Sequence, residues 1–533
     1  MSLDPSRATR HRMALRRPNG VDLFVAAIAV LVVAGLVVAV LLPADSDGEA
    51  SEGGDGEGVA STLDRSQASV ARSARGRLDA VGYAAPITPS GRVVEVSLVA
   101  ARSTASIVDG TETEVWAYNG TVPGPEIRVE LGDTVRVELR NELPQPTSIH
   151  WHGIRVPNAM DGVPGLNQDP IPPGGSFVYE FTPPDAGTYW YHSHQRGNEQ
   201  LERGLYGAIV VEDPSDPPYS QDLVWLIDDW LIDTNDGRLD PDFDSMVDVH
   251  HSGRWGNVRG INGMTNDSVQ VAPGERIRVR MVNASTARIV RPSFGDRALD
   301  ALVVAVDGLP ADRPLPFDGF DLAPGNRVDV DLTVPVNASG PIVLTDGFEG
   351  IEPYPLVALE VAGEPVETPQ FDPPSAPVPD WSSAFDWAPD EIIEITLVSD
   401  GMMMGGAMGA RSEPETLAGD EGERFRWALN GRSWPDPAVH QAAIDRPDKV
   451  RFVNDSGAFH PMHLHGQFFQ VVARNGMPVR EGLFRDTVLL DPQDTVDVVV
   501  MPLDAGSWAL HCHIQLHGEY GMMMRYDVLS SPQ

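Results

Sequence analysis

Apolar and polar residues alternate with a period of two in three separated stretches of this chain. The first is Thr134-Val135-Arg136-Val137-Glu138-Leu139-Arg140-Asn141. The second is Arg276-Ile277-Arg278-Val279-Arg280-Met281-Val282-Asn283, and the third is Lys449-Val450-Arg451-Phe452-Val453-Asn454. That period sends successive side chains to opposite faces, as in a half-buried strand. Each stretch follows a turn dipeptide, Asn119-Gly120, Asn262-Gly263 or Asn430-Gly431. An Asn-Gly turn followed by an alternating strand predicts the hairpins of a sandwich. The three asparagines stand 143 and 168 residues apart, a domain-sized repeat. The expected fold is therefore all-β, with three related β-sandwich domains over residues 89–215, 216–368 and 369–533. The breaks fall near Asp213-Pro214 and in the Pro-rich stretch from Pro365 to Pro389. No helical period outside the N-terminus is long enough to change this reading.

The N-terminus follows another pattern. Leu23 to Leu42 is an uncharged apolar run of 20 residues, about 30 Å as a helix and matched to a bilayer core. Arg7, Arg10, Arg12, Arg16 and Arg17 precede it, and Asp45, Asp47, Glu49 and Glu52 follow it. The positive-inside rule then gives a cytoplasmic basic segment (1–20), a single-pass membrane anchor (21–42) and extracytoplasmic domains at the cell membrane. A cleaved signal peptide is the rival. The run exceeds the ~7–15 residues of a signal h-region and no clean A-x-A site follows, which favours an uncleaved anchor. Residues 43–88 are rich in Gly, Ser, Ala, Asp and Glu, with little to bury, and read as a flexible acidic linker.

Charge narrows the partners. The 533 residues include 77 acidic and 39 basic side chains, for a formal net charge of −38. Such a surface disfavours nucleic acid and anionic lipid. It can also concentrate metal cations locally, though solubility alone accounts for it.

The candidate chemistry centres on the single cysteine, which has no internal disulfide partner. It lies in His511-Cys512-His513, with His517 and Met522 beyond. Two histidines, a cysteine and a weak axial methionine suit a blue-copper site. In an extended strand Cys512 faces one way and its two neighbours the other, so one strand can serve two metal centres. Of 14 histidines, ten cluster in His150-Trp151-His152-Gly153, Tyr191-His192-Ser193-His194, His460-Pro461-Met462-His463-Leu464-His465-Gly466 and the segment around Cys512. Each H-x-H pair puts two rings on one face of a strand. His11, His250, His251 and His440 stand outside the set. His250 and His251, being adjacent, point apart and read as surface residues.

These four motifs, in this order and at these separations, resemble the copper-binding signatures of three-domain multicopper oxidases of the laccase and cuprous-oxidase type. The resemblance covers roughly residues 90–530. It implies three consecutive cupredoxin-like domains and four copper ions. It assigns His460, Cys512, His517 and axial Met522 to a type 1 copper, and His150 and His463 to a type 2 copper. His152, His192, His194, His465, His511 and His513 fall to a type 3 pair. Gln467 stands where many relatives carry another, non-ligand histidine. Domain two holds none of these ligands and reads as a spacer between domains one and three. Asp161, 11 residues after His150, matches the family's proton-relaying carboxylate. A turn aspartate before Gly162 is its plainer reading. Glu519, at a different offset from the usual pattern, is the second relay candidate.

The implied activity is a multicopper oxidase that couples four one-electron oxidations of a donor to reduction of O₂ to water. The donor is left open. Met402, Met403, Met404 and Met408 offer soft thioethers that select Cu(I), or else fill a Gly-rich loop. A phenol or aromatic amine is the alternative donor. A non-catalytic copper-binding or copper-storage protein is the alternative from another class, and the complete ligand set argues against it.

Overall fold

The computed structural model describes residues 87–530 except 266, 296–298, 351, 381–387, 400–424 and 445. The basic segment, the apolar run of 21–42, almost all of the acidic linker and the methionines of 402–408 lie outside the described residues. No helix among the described residues is long and apolar enough to cross a membrane.

The described chain is all-β, arranged as six sheets in three successive pairs. The three alternating stretches are strands, Thr134–Asn141, Arg276–Asn283 and Asp448–Asn454. They occupy the same place in each repeat. Thr134–Asn141 pairs in parallel with Val93–Ala105 and antiparallel with Ser176–Phe181. Arg276–Asn283 pairs in parallel with Gln221–Trp230 and antiparallel with Arg327–Thr333. Asp448–Asn454 does the same with Glu391–Ser399 and Thr495–Val500. A large apolar cluster fills each pair of sheets.

Each Asn-Gly dipeptide makes the expected two-residue turn, closed by an antiparallel bridge between Tyr118 and Thr121, Ile261 and Met264, or Leu429 and Arg432, but none of these turns pairs its flanks with the alternating strand that follows. Each asparagine takes a left-handed conformation, with φ of 55° at Asn119, 52° at Asn262 and 53° at Asn430. Each side-chain carbonyl then accepts a backbone N–H of the neighbouring strand: Val99 at 2.7 Å, Leu226 at 3.0 Å and Glu394 at 2.8 Å. The repeat is therefore a splint on an edge strand. Asparagine suits it because its short amide tolerates the left-handed region while bonding locally.

Two strand pairs position the histidine motifs. His150–His152 lies beside Gly187–His192, with His150 opposite His192. His460–Leu464 lies beside Gly506–Cys512, with His463 opposite His511 and Met462 opposite Cys512. Side chains directly opposite in a ladder share a face. Cys512 and Met462 therefore enter the core of the third sandwich, while His463 and His511 face the other way.

Candidate metal centre

Two clusters of ligand atoms occupy the two faces of the Cys512 strand. In the first, Cys512 Sγ lies 3.6 Å from His460 Nδ1 and 3.5 Å from His517 Nδ1, and the two Nδ1 atoms are 3.1 Å apart. The outer nitrogens are tied off: His460 Nε2 lies 2.8 Å from Ser456 Oγ, and His517 Nε2 donates to the His251 carbonyl at 2.8 Å. Only the inner nitrogens and the sulfur are left to meet a cation. Met522 is fully buried. Its backbone is hydrogen-bonded to both Cys512 and His517, which fixes it beside them. Trp427 closes one side, its ring centroid 4.8 Å from His460 and 4.5 Å from His517.

The second cluster gathers the remaining predicted histidines from two sandwiches. His150, His152, His192 and His194 come from the first, and His463, His465, His511 and His513 from the third. Rings of the two sets interleave: His150 stacks on His465 and His152 on His463, each with centroids 3.8 Å apart. Four groupings bring ligand atoms within 4.8 Å of one another: His150–His463–His465, His150–His152–His192, His194–His465–His511 and His152–His463–Asp486. The His513 ring lies 4.9 Å from His152 and 5.4 Å from His192.

The chemistry of these rings fits a metal. In most, the protein fixes one nitrogen and leaves the other without a partner. His150 Nδ1 donates to the Asp161 carbonyl at 2.9 Å, His192 Nδ1 to the Ser193 carbonyl at 3.0 Å and His463 Nδ1 to the Asp486 carbonyl at 3.0 Å. The Nε2 atoms of all three, and of His513, are buried with no hydrogen-bond partner. His152 is reversed: Nε2 faces Asp486 and Thr487, and Nδ1 is the orphan. Buried polar atoms are seldom left unpaired, and a fixed outer nitrogen with a free inner one is the arrangement of a metal ligand. Burial disfavours the protonated form and so favours ligation at several of these rings. It pushes His152, His192, His194, His465 and His513 well below the usual imidazole value, and His511 and His517 down to about 3. Burial also pushes the Cys512 thiol up, so a thiolate here needs a cation beside it.

His440 is the contrasting case. It is buried, but its ring nitrogens lie 2.8 Å from Asp448 and 3.2 Å from Glu391. Burial opposes its charge, and these carboxylates more than offset that, raising its pKa. Its two nitrogens are both taken up by carboxylates, whereas most of the clustered rings leave one nitrogen without a partner.

Asp161 lies inside the second cluster. One carboxylate oxygen is 3.0 Å from His465 Nδ1 and the other 3.3 Å from His150 Nδ1. Glu519 stands further out. Its Oε1 accepts the Gly197 N–H at 2.8 Å. It lines a cavity of ≈ 140 Å³ that it shares with His194, His511, Trp434 and Met523. That cavity joins the surface to two of the clustered rings.

Several residues escaped the sequence reading. Asp486 sits between His152 and His463, about 3.4 Å from each. Domain two is more than a spacer. Its Arg327 clamps Asp486 with two hydrogen bonds, and its His251 carbonyl caps His517. The His250 and His251 rings take no part in either cluster. Motif searches among His, Cys and Met cannot find an arginine or a main-chain carbonyl. The one available signal was Arg327 on an alternating strand that starts directly after Pro324-Gly325-Asn326.

Comparison with known proteins agrees with this geometry. Sequence profiles described as multicopper oxidase match residues 100–216, 222–340 and 410–532. A relative named multicopper oxidase MmcO, from Mycobacterium tuberculosis, is 29% identical over 89% of this chain and 94% of its own length. A copper resistance protein A homolog from Pseudomonas syringae is 27% identical over 79% of this chain and 90% of its own. Among solved structures, Lac15 from a marine microbial metagenome is 32% identical with a TM-score of 0.61, over 81% of this chain and all of its own. A multi-copper oxidase from Pseudomonas thermotolerans superimposes with a TM-score of 0.69 at 28% identity, covering 83% of this chain and 100% of its own.

Proposed function

Because this chain belongs to the multicopper oxidase family and is a copper-dependent oxidoreductase, we propose that it couples four one-electron oxidations of a donor to reduction of O₂ to two waters, consuming four protons. Four coppers fit the ligands: a type 1 ion at His460, Cys512, His517 and Met522, a type 2 ion at His150 and His463, and a type 3 pair at the other six rings. When bound, copper supplies the one-electron chemistry at the first centre and the O₂ chemistry at the second. The observation that carries this reading is the His511-Cys512-His513 strand, whose sulfur faces one cluster while its flanking imidazoles face the other. The chain thus provides a covalent path between the two sites, with no free intermediate needed to carry electrons.

Other residues support the same division of work. Asp161, against His465 and His150, is placed to hold a proton beside the O₂ site. Glu519 stands at the outer cavity, where water can reach it, and serves as the entry group. Donors approach the first site over the short helix Met246–His250, whose Met246 and Val247 are exposed. His517 itself is buried behind the His251 carbonyl, so electron entry runs across that hydrogen bond.

The donor we favour is Cu(I), gathered by Met402, Met403, Met404 and Met408. The copper resistance proteins among the relatives favour it, as does the softness of thioethers. A phenol or aromatic amine is the second reading, favoured by relatives named laccase. The apolar run at 23–42 and the charges that flank it support a membrane anchor with the enzyme outside the cytoplasm. Oxygen consumption with Cu(I), Fe(II) and a small phenol as competing donors tests these readings together. Replacing the four methionines with Leu keeps their volume, a change that costs under about 1.5 kcal/mol each even in a core. The expected result is a raised KM for Cu(I) with phenol kinetics unchanged. Parallel movement of both donors, or no movement in either, would leave these four methionines as filler and favour the laccase-like reading.

A further inference from the structure

Domain two, which supplies none of the predicted ligands, reaches the histidine cluster through one buried knot. Arg327 is fully buried. Its NH1 and NH2 donate to the two oxygens of Asp486 at 2.8 and 2.7 Å, and its Nε to the Thr188 carbonyl of domain one at 3.3 Å. Next to it, Asn326 donates to Asp307 and to the Thr487 carbonyl. Asp486 Oδ1, which also accepts from Thr487 Oγ1 at 2.8 Å, lies 3.4 Å from His152 Nε2 and 3.4 Å from His463 Nδ1, while the Asp486 main-chain carbonyl lies 3.0 Å from that same His463 nitrogen. One carboxylate thus touches a ring from each ligand-bearing sandwich while an arginine from the remaining sandwich holds its plane.

The packing leaves no slack. A side chain at Gly153, directly after the first histidine motif and at φ +86°, would run into the Arg327 guanidinium and Asp486. A Cβ at Gly325, at φ +90°, would come within 2.9 Å of His152 Cε1 and 3.0 Å of His513 Cδ2. The turn of domain two therefore lies directly against two rings of the cluster.

We propose that Arg327 is a positioning residue of the histidine cluster: by clamping Asp486 in a fixed plane it sets the orientation of His152 and His463, so that domain two forms the third wall of the site. This rests on the reading of those two rings as ligands of different copper ions. The bidentate geometry matters, because guanidinium matches both carboxylate oxygens at once and lysine cannot. Partners that orient metal-bound histidines typically affect metal affinity or activity by about 10–100-fold.

The test uses the copper-loaded full chain with Arg327→Lys, Arg327→Gln and the double variant Arg327→Gln/Asp486→Asn. The double variant leaves no uncompensated buried charge, so it keeps the question open to measurement if Arg327→Gln fails to fold. Arg278→Gln serves as a control, since it removes another buried domain-two arginine, bonded to Asp329 and Asp216, with no contact to a ligand ring. The readouts are copper content, the electron paramagnetic resonance signal of the type 2 ion, the blue band and the reoxidation rate. In Arg327→Lys the blue band should persist while the type 2 signal changes shape and reoxidation slows roughly tenfold. In Arg327→Gln and the double variant, copper should be lost from the cluster but not from the blue site. Arg278→Gln should lower Tm without moving the type 2 signal. An unchanged type 2 signal and copper content in all Arg327 variants would overturn the proposal and leave Arg327 a structural residue. A wild-type protein with no blue band would instead count against the oxidase reading beneath it.

Discussion

Replacing Cys512 with Ser is expected to remove the intense visible band of a blue-copper site and nearly all turnover, with the fold intact. Copper–thiolate bonding gives that band, and serine has no soft sulfur. The loss should exceed the roughly 100-fold upper end seen when a residue merely supports a ligand, because the ligand itself is gone. Folding should survive because the new hydroxyl is not stranded. His460 Nδ1 and His517 Nδ1 lie 3.6 and 3.5 Å from the sulfur position, so a buried O–H has partners and avoids the penalty of an unpaired polar group. Copper content should fall by one ion of the proposed four, since the eight imidazoles on the other face of the strand do not use Cys512 as a ligand. Absorption spectra, metal analysis and Tm decide this. A retained blue band would refute the assignment of Cys512. Loss of all copper would show that the two sites do not bind independently.

The fold was legible where period and repetition agree. The strands Thr134–Asn141, Arg276–Asn283 and Asp448–Asn454 were visible in the alternation, and the domain repeat in the spacing of Asn119, Asn262 and Asn430. The pairing was not visible. Period two gives the faces of a strand but not its neighbours, so the parallel partners of these strands could not be read from it. The Asn-Gly dipeptides form the turns that their type predicts, and the asparagine side chains also hydrogen-bond an adjacent strand, which no local pattern reveals.

Alternation also misleads about water. In Arg276–Asn283 the positions Arg278 and Arg280 read as a solvent face, yet both are buried. Asp329 and Asp331 alternate on the neighbouring strand in the same way. Arg278 and Arg280 both meet Asp329, which also accepts from Thr188 of domain one. A charged face in this protein is thus a domain junction, sealed by matched ions instead of apolar contact. Arg327 and Asp486 belong to the same class of residue, which explains why the site was half readable. The histidines, the cysteine and Met522 announce themselves by type and spacing. The charged groups that orient them resemble ordinary surface residues until the domains are brought together.

Asp161 offers the sharper separation of the two half-reactions. Asp161→Asn should slow reoxidation by O₂ by about 10²-fold or more, the usual contribution of a positioned proton-transfer group, while reduction of the blue site by donor keeps its rate. The geometry separates the two. Asp161 touches His465 at 3.0 Å and His150 at 3.3 Å, both in the eight-imidazole cluster, and no residue of the Cys512 sulfur site. Asparagine keeps the size and one carbonyl oxygen, so one of the two ring contacts survives. What it loses is the charge and the ability to take up and release a proton at that atom. Anaerobic stopped-flow mixing with donor follows the bleaching of the blue band, and mixing the reduced enzyme with O₂ follows its return. Glu519→Gln should act in the same direction but less, because its carboxylate lines the outer cavity instead of contacting two rings. If Asp161→Asn slows both half-reactions equally, the residue acts through folding and not as a relay. If it slows neither, the protons for O₂ reduction enter past Glu519 and the His194–His511 side of the cluster.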